Sequence, residues 1–316
     1  MPKYIFKRIL AGMPIVVVVG ILVFFIIHLI PGNPVEVMLG SDATPEDVQI
    51  LTKKMGLDQP IMVQFGKWSL SALRGDLGNS IYYNSPVVNV LAEKMEPTII
   101  IIVYAMVVAV LIGIPVGVVS AVKRNELPDR LCMGITMLGM STPAFLLGLL
   151  LIMIFSLSLG MFPSVGYRGI EEVGLLKAVF VYLTLPSMTL GLQRAASIAR
   201  VTRSAMLDVL GENYIRTARA KGLKEYRVIM LHALQNAMAP ILTQIGFSIA
   251  QLAAGAVVIE TIFNIAGIGQ VAYFALLRRD YPLIQGYILG IAVIYVAINT
   301  AVDILYKFFD PRADIG

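Results

Sequence analysis

Long uncharged runs alternate with short charged intervals along this chain, and the runs can be measured against a bilayer. A helix rises 1.5 Å per residue, so a crossing takes about 20 largely apolar residues. The first such run is Ile9 to Ile30, ended by PGNP, and the second is Pro97 to Val122, which carries Pro115 and closes at Lys123 and Arg124. Leu131 to Phe162 is uncharged and longer than one crossing requires, so tilt or a break near Pro143 is expected. A fourth run begins near Ala178, meets Arg194 early, and continues as AASIARVTRSAMLDVL, a helix predicted to leave the bilayer without stopping. Ala237 to Ile259 and Pro282 to Leu305 complete the set. The pattern predicts an all-α membrane protein with six transmembrane helices and no internal repeat. Residues 1–31 form the N-terminus and first span, 32–96 a polar insert long enough for a small structured elaboration, and 97–316 a five-helix core with a polar loop at about 204–236.

Composition supports the bilayer. The 316 residues are 58% hydrophobic and 14% charged, with mean hydropathy +0.81, which is more apolar surface than a soluble core of this length buries. Lys3, Lys7 and Arg8 followed by an apolar run resemble a secretory signal, but the run exceeds the usual signal core and no small-residue cleavage site follows, so a retained first span is expected. The single Cys132 cannot form an intrachain disulfide, and His28 and His232 are isolated, so neither redox chemistry nor a metal site is expected. No G-x-x-x-x-G-K-[ST] loop occurs, since FGKW at Phe65 to Trp68 lacks the glycine spacing and the hydroxyl residue. The chain therefore carries no phosphate-binding loop of that type.

Short cytoplasmic loops collect lysine and arginine. Lys123, Arg124 and Arg130, then the block from Arg200 to Arg227, place both termini and the loop between spans four and five in the cytosol. Within that loop YIRTARAKGLKEYR, Tyr214 to Arg227, holds five basic side chains against one acidic. Glu212 to Lys221 reads as a short helix, Gly222 suits a left-handed cap, and LKEYRVIMLHALQNAM resumes a helical pattern. On these features alone the loop either lies on anionic headgroups or grips another protein.

Polar residues inside spans are costly against lipid. Gln244, Ser248 and Gln251 fall at i, i+4 and i+7 on one face of the fifth span, where they line a substrate pathway or hydrogen-bond to a neighbouring helix. Glu260, just past the fifth span, and Asp303, near the end of the sixth, are expected to be structural ion-pair or capping partners, with a gate as the alternative. A proton-coupled secondary transporter would carry carboxylates or histidines near mid-membrane, and none is evident there.

RTARAKG, Arg216 to Gly222, resembles the EAA signature of ATP-binding-cassette importer permeases, with Arg216, Thr217 and Ala218 in the triplet and Gly222 four residues beyond Ala218. The form RTARAKGL is similar to the dipeptide, oligopeptide and nickel branch. The general pattern continues with Leu-Pro, whereas here Leu234 is followed by Gln235 and Pro240 comes later. FKRILAGMPIVVVVGILVFFIIHLIPGNP resembles the branch's first helix, GLDQPIMVQF and RGDLGNSI (Arg74 to Ile81) its external insert, and STPAFLLG (Ser141 to Gly148) its third helix. ETIFNIAGIGQ, Glu260 to Gln270, is similar to the segment after the fifth helix, with Ala266 where proline is commoner, and the closing FFDPR, Phe308 to Arg312, matches as well.

The resemblance implies a type I importer-like permease with an extracytoplasmic insert after helix 1, the first of two unlike permeases in an inner-membrane transporter. It implies as partners a second homologous permease subunit, two ATP-binding-cassette ATPase subunits and an extracytoplasmic solute-binding protein, besides membrane lipid, and no nucleic acid. It assigns ATPase coupling to Arg216, Thr217, Ala218, Arg219, Lys221 and Gly222, with no catalytic or metal-binding residue. No cofactor is bound by this chain: ATP and Mg are used by the partner ATPases, so the protein is a translocation subunit and not an enzyme. The implied cargo is di- or oligopeptides, with nickel complexes or glutathione-like peptides as alternatives. The competing classes are a secondary transporter and a membrane scaffold whose basic loop binds lipid or protein.

Overall fold

The computed structural model describes residues 2–29, Val35, Leu39 and 44–309. Helices account for nearly all of it, and among the described residues the only strand-like pairing is one isolated bridge, Asn79 to Pro86. Helix α1 runs from Pro2–Leu29. Helix α2, Pro45–Met55, starts in a capping box: Thr44 Oγ1 accepts from the Asp47 N–H at 3.2 Å, and the Asp47 carboxylate accepts from the Thr44 N–H at 3.3 Å. It ends at Gly56, whose φ of 68° is left-handed. Helix α3 is Ile61–Leu73.

Helix α4, Val87–Val122, begins before the charged Glu93, Lys94 and Glu96, where the apolar count alone would start the span at Pro97. Val87, Val90 and Leu91 are buried there, so packing carries the helix through residues that hydropathy excludes. Helices α5 (Leu127–Ser141) and α6 (Ala144–Leu151, continuing as a wide π-type turn over Ile152–Ser158) meet at 107°. The break lies at the proline expected to cause it: Thr142, before Pro143, is extended at φ −78°, ψ 123°, because the proline ring disfavours helical backbone in the residue ahead of it.

Helix α7, Thr184–Leu210, follows a 59° bend from Leu175–Tyr182 and passes Arg194 and Arg203 unbroken. Helix α8 is Asn213–Ala220, and α9 is Leu234–Ile262, reached through a helical turn at Glu225 and a π-type stretch over Val228–Ala233. Helices α10 (Ile268–Leu277) and α11 (Tyr281–Phe309) close the described chain. Val87–Val122, Glu225–Ile262 and Tyr281–Ala301 are each long and apolar enough to cross a membrane, and the two bent pairs supply two more crossings. The apolar part of α1, Leu10–Ile26, is shorter than these and makes the sixth candidate segment. Ile135, Leu138 and Leu157 are each about 70% exposed, an arrangement stable where lipid or another subunit covers them.

The chain divides into two compact units. One comprises Met1–Glu96 and Ala266–Ala297. In it Phe24 of α1 packs on Phe65 and Trp68 of α3, with ring centroids 5.3 and 5.5 Å away. Val87, Val90 and Leu91 bury against Ile268, Val271, Leu283 and Ile284. Buried Asp280 gathers the loop before α4: its carboxylate accepts from the Ser80 hydroxyl and from the Tyr82 N–H at 3.0 Å, while the Arg278 guanidinium stacks 3.5 Å over the Tyr82 ring.

The other unit comprises Pro97–Ile265 and Ile298–Gly316. Its centre is the crossing of α4, α7 and α9. A β-carbon at Gly113 would lie 2.8 Å from the Ala195 carbonyl oxygen, and one at Gly191 2.8 Å from that of Ala105, so the backbones of α4 and α7 touch where side chains are missing. Leu190, Leu252, Ile259 and Phe263 pack beside this crossing.

Candidate functional site

The loop between α7 and α9 is ordered by apolar residues at helical spacing. Ile215 and Ala218, three apart on α8, face inward and bury against Ala121, Ala205, Met206, Val228, Ala233, Ala237 and Ile241. The helix stops because Lys221, Gly222 and Leu223 return N–H groups to the carbonyls of Thr217, Arg219 and Ala218 at 3.0, 2.9 and 3.4 Å, a reversal that needs the left-handed φ of 75° at Gly222. No β-carbon clash surrounds Gly222, so its requirement is conformational.

The six coupling residues singled out by sequence thus separate by face. Arg216, Thr217, Arg219, Lys221 and Gly222 are exposed, and Ala218 is 9% exposed. The close approach that a small residue permits at 218 is to helices of its own chain. The Thr217 hydroxyl donates to the Asn213 carbonyl at 3.0 Å, and Arg219 forks onto Glu225, with Nη2 to Oε1 at 2.7 Å. That bond holds the Glu225 carboxyl below its usual range. Arg216 and Lys221 remain as outward cations, flanked by the exposed rings of Tyr214 and Tyr226. The surface presents basic and aromatic groups on a rigid turn, a form suited to an acidic or carbonyl-rich groove.

A second feature, which no local pattern in the sequence shows, joins α5 to α7. Arg203 on α7 grips Asp129 with two bonds of 2.7 Å, and the Asn125 N–H donates to the same carboxylate at 2.9 Å. Asp129 lies just ahead of the apolar run from Leu131 and is 4% exposed at its side chain. The hydrogen bond from Arg203 lowers its pKa to about 2 in spite of burial, which acts in the opposite direction. A signal existed in the sequence, an acid in one basic loop and an arginine near the next. Their separation of 74 residues hides the pairing from any local pattern.

Of the polar stripe of the fifth span, Gln244 reaches α7. Gln244 donates from Nε2 to Ser197 Oγ at 3.0 Å and to Ser248 Oγ at 3.3 Å; Ser248 is buried and donates back to the Gln244 carbonyl at 2.8 Å, and Gln251 is half-buried. Gln193 donates to the Thr142 carbonyl at 2.6 Å, securing the broken span to α7. Glu260 is fully buried, its carboxylate accepting the Thr98 hydroxyl, an arrangement that joins two helices. The side chains of His28, Asp303 and the closing FFDPR lie outside the described residues.

Comparison with known proteins places this geometry in a family. A family model described as "Binding-protein-dependent transport system inner membrane component" matches residues 113–315, and a companion model for the N-terminal part of such membrane components matches residues 1–101. The glutathione transport system permease protein GsiC of Escherichia coli strain K12 is 40% identical over 311 residues, covering 98% of each chain. GsiC of Salmonella typhimurium strain LT2 is equally similar. Among solved structures, inward-facing forms of the MetNI methionine ABC transporter share the fold, with TM-scores of 0.57 and 0.55 at 20% and 19% identity, over 70% of this chain and 96–97% of theirs. The six candidate spans, the basic helix set between the fourth and fifth, and these matches along almost the whole length mean that the chain belongs to the binding-protein-dependent inner membrane components, the permease subunits of ABC importers.

Proposed function

We propose that this permease subunit moves short peptides, glutathione-like peptides among them, into the cell, driven by ATPases that grip the outward face of α8. The observation that carries the coupling role is the division of α8 into an anchored face, Ile215 and Ala218, and a solvent face bearing Arg216, Arg219 and Lys221. A force applied to that face is delivered to α7 and α9 through buried contacts. The peptide cargo rests on the relatives named for glutathione transport and on the branch resemblance of RTARAKGL. In this reading the loop and both termini face the cytosol. ATP and Mg are handled by two ATPase subunits, a second unlike permease completes the path, and an extracytoplasmic binding protein delivers cargo. The chain itself translocates and catalyses no reaction.

The test is reconstitution of the chain with its partner subunits and binding protein in proteoliposomes, reading both ATP hydrolysis and uptake of labelled peptides, reduced glutathione included. The charge reversal R216E/K221E leaves the buried face intact and should lower ATP-driven uptake by tenfold or more, about the effect of losing charge-assisted contacts. Gly222→Pro, which cannot adopt a φ of 75°, should uncouple hydrolysis from uptake while membrane insertion persists. Unchanged uptake in both variants would refute the docking role.

A further inference from the structure

Among the described residues, three arginines of α7 and the loop behind it differ in their partners. Arg203 is held by Asp129 and Arg219 by Glu225, whereas Arg194, half-buried on α7, has neither a hydrogen bond nor an ion pair among the described residues, and its Nε is buried without an acceptor. It stands ten residues into α7 and nineteen beyond Leu175, where the bent pair that forms the fourth candidate span begins. A guanidinium on a membrane-spanning helix is costly against hydrocarbon and is retained where it faces a watery path, a ligand or an opposing charge. One turn further on, Ser197 receives the cross-helix bond from Gln244, whose Oε1 takes no hydrogen bond among the described residues. A cation, a hydroxyl and an amide acceptor therefore lie within a turn of one another along α7 and α9.

We infer that Arg194 is a cargo contact, the group that receives a carboxylate of the peptide as it crosses, with Gln244 and Ser197 offering hydrogen bonds to its amides. The inference rests on the peptide reading above. The guanidinium fork matches a carboxylate with two parallel bonds, and every peptide with an unblocked C-terminus carries one.

The test uses the assembled permease–ATPase complex in discs of phosphatidylcholine alone, without binding protein, and measures the Kd of trialanine and of its C-terminal amide by equilibrium dialysis. The wild type should prefer the acid by about 10- to 100-fold, the range for a charge-assisted hydrogen bond, R194Q should lose that preference, and R194K should keep most of it. Equal binding of acid and amide by the wild type, no binding of either, or an unchanged preference in R194Q would overturn the assignment. So would failure of R194Q alone to assemble with the second permease, which would place the guanidinium at a subunit contact. Uptake separates the two levels: ATP-driven trialanine uptake with the same KM in wild type and R194Q removes the role of Arg194 and leaves the peptide reading standing. Absence of peptide uptake by the wild type removes both.

Discussion

Replacement of Gly117 by alanine tests how closely α4 and α7 must approach. A β-carbon at 117 would lie 2.6 Å from the Ala199 carbonyl oxygen and 2.5 Å from Thr202 Cβ, against the 3.4 Å at which ordinary contact begins. The nearer obstacle on the backbone is a carbonyl in the middle of a 27-residue helix, which cannot rotate aside as a long side chain would. The helices must therefore part by most of an ångström, which also loosens the contacts at Gly113, one turn earlier on α4. Overpacking of this kind costs about 1–3 kcal/mol. Gly134→Ala is the control, because nothing lies within 4 Å of a β-carbon there, and alanine in a helix gains up to about 1 kcal/mol over glycine. Both replacements sit in helices and share that gain, so the two variants should differ by the overpacking cost, about 1–3 kcal/mol, in the stability of the detergent-solubilised protein. Cys132 is the sole thiol and half-buried on α5, so its reactivity during denaturant unfolding reports the transition. Equal midpoints for G117A and G134A would refute the close-approach argument.

The remaining predictions concern single polar contacts. Asp129→Asn leaves Arg203 largely buried without its counter-charge and should destabilise by about 3 kcal/mol in the same unfolding assay. The folded carboxyl titrates at about 2, below its ordinary 3.8, so its contribution is complete above about pH 4 and is withdrawn as pH falls toward 2; D129N should lack that acid-dependent loss, and a parallel pH profile in the two proteins would refute the pairing. Glu225→Ala, by contrast, breaks an ion pair whose partners are 43% and 53% exposed, and stability should change by less than about 1 kcal/mol. Gln244→Ala removes one interhelical bond and should cost about 0.6–1 kcal/mol, measured by the same midpoint shift. In a Cys132→Ser background, Gln251→Cys should react with aqueous thiol reagents in at least one transport state if the stripe borders the path, and lack of reaction in every state would reject that placement.

Features governed by a few consecutive residues were legible in the sequence. The runs of apolar residues set the candidate spans, Pro143 broke the third of them, and Gly222 ended the loop helix, because helix period, ring closure and left-handed backbone are properties of a short window. The basic composition of the loop and its place between the fourth and fifth spans were equally visible. Which neighbour each side chain meets was decided only by the tertiary structure. Pairing of Asp129 with Arg203, the turning of Ala218 toward its own core, the contact of Gln244 with Ser197, and the isolation of Arg194 from every described carboxylate all depend on residues tens of positions away. Even the early start of α4 at Val87 belongs to this class, since charged residues continue a helix when Val87, Val90 and Leu91 find a buried surface. Local backbone preference acts along the chain, whereas burial and charge pairing act through space, so the sequence determined where helices form and folding determined what their faces touch.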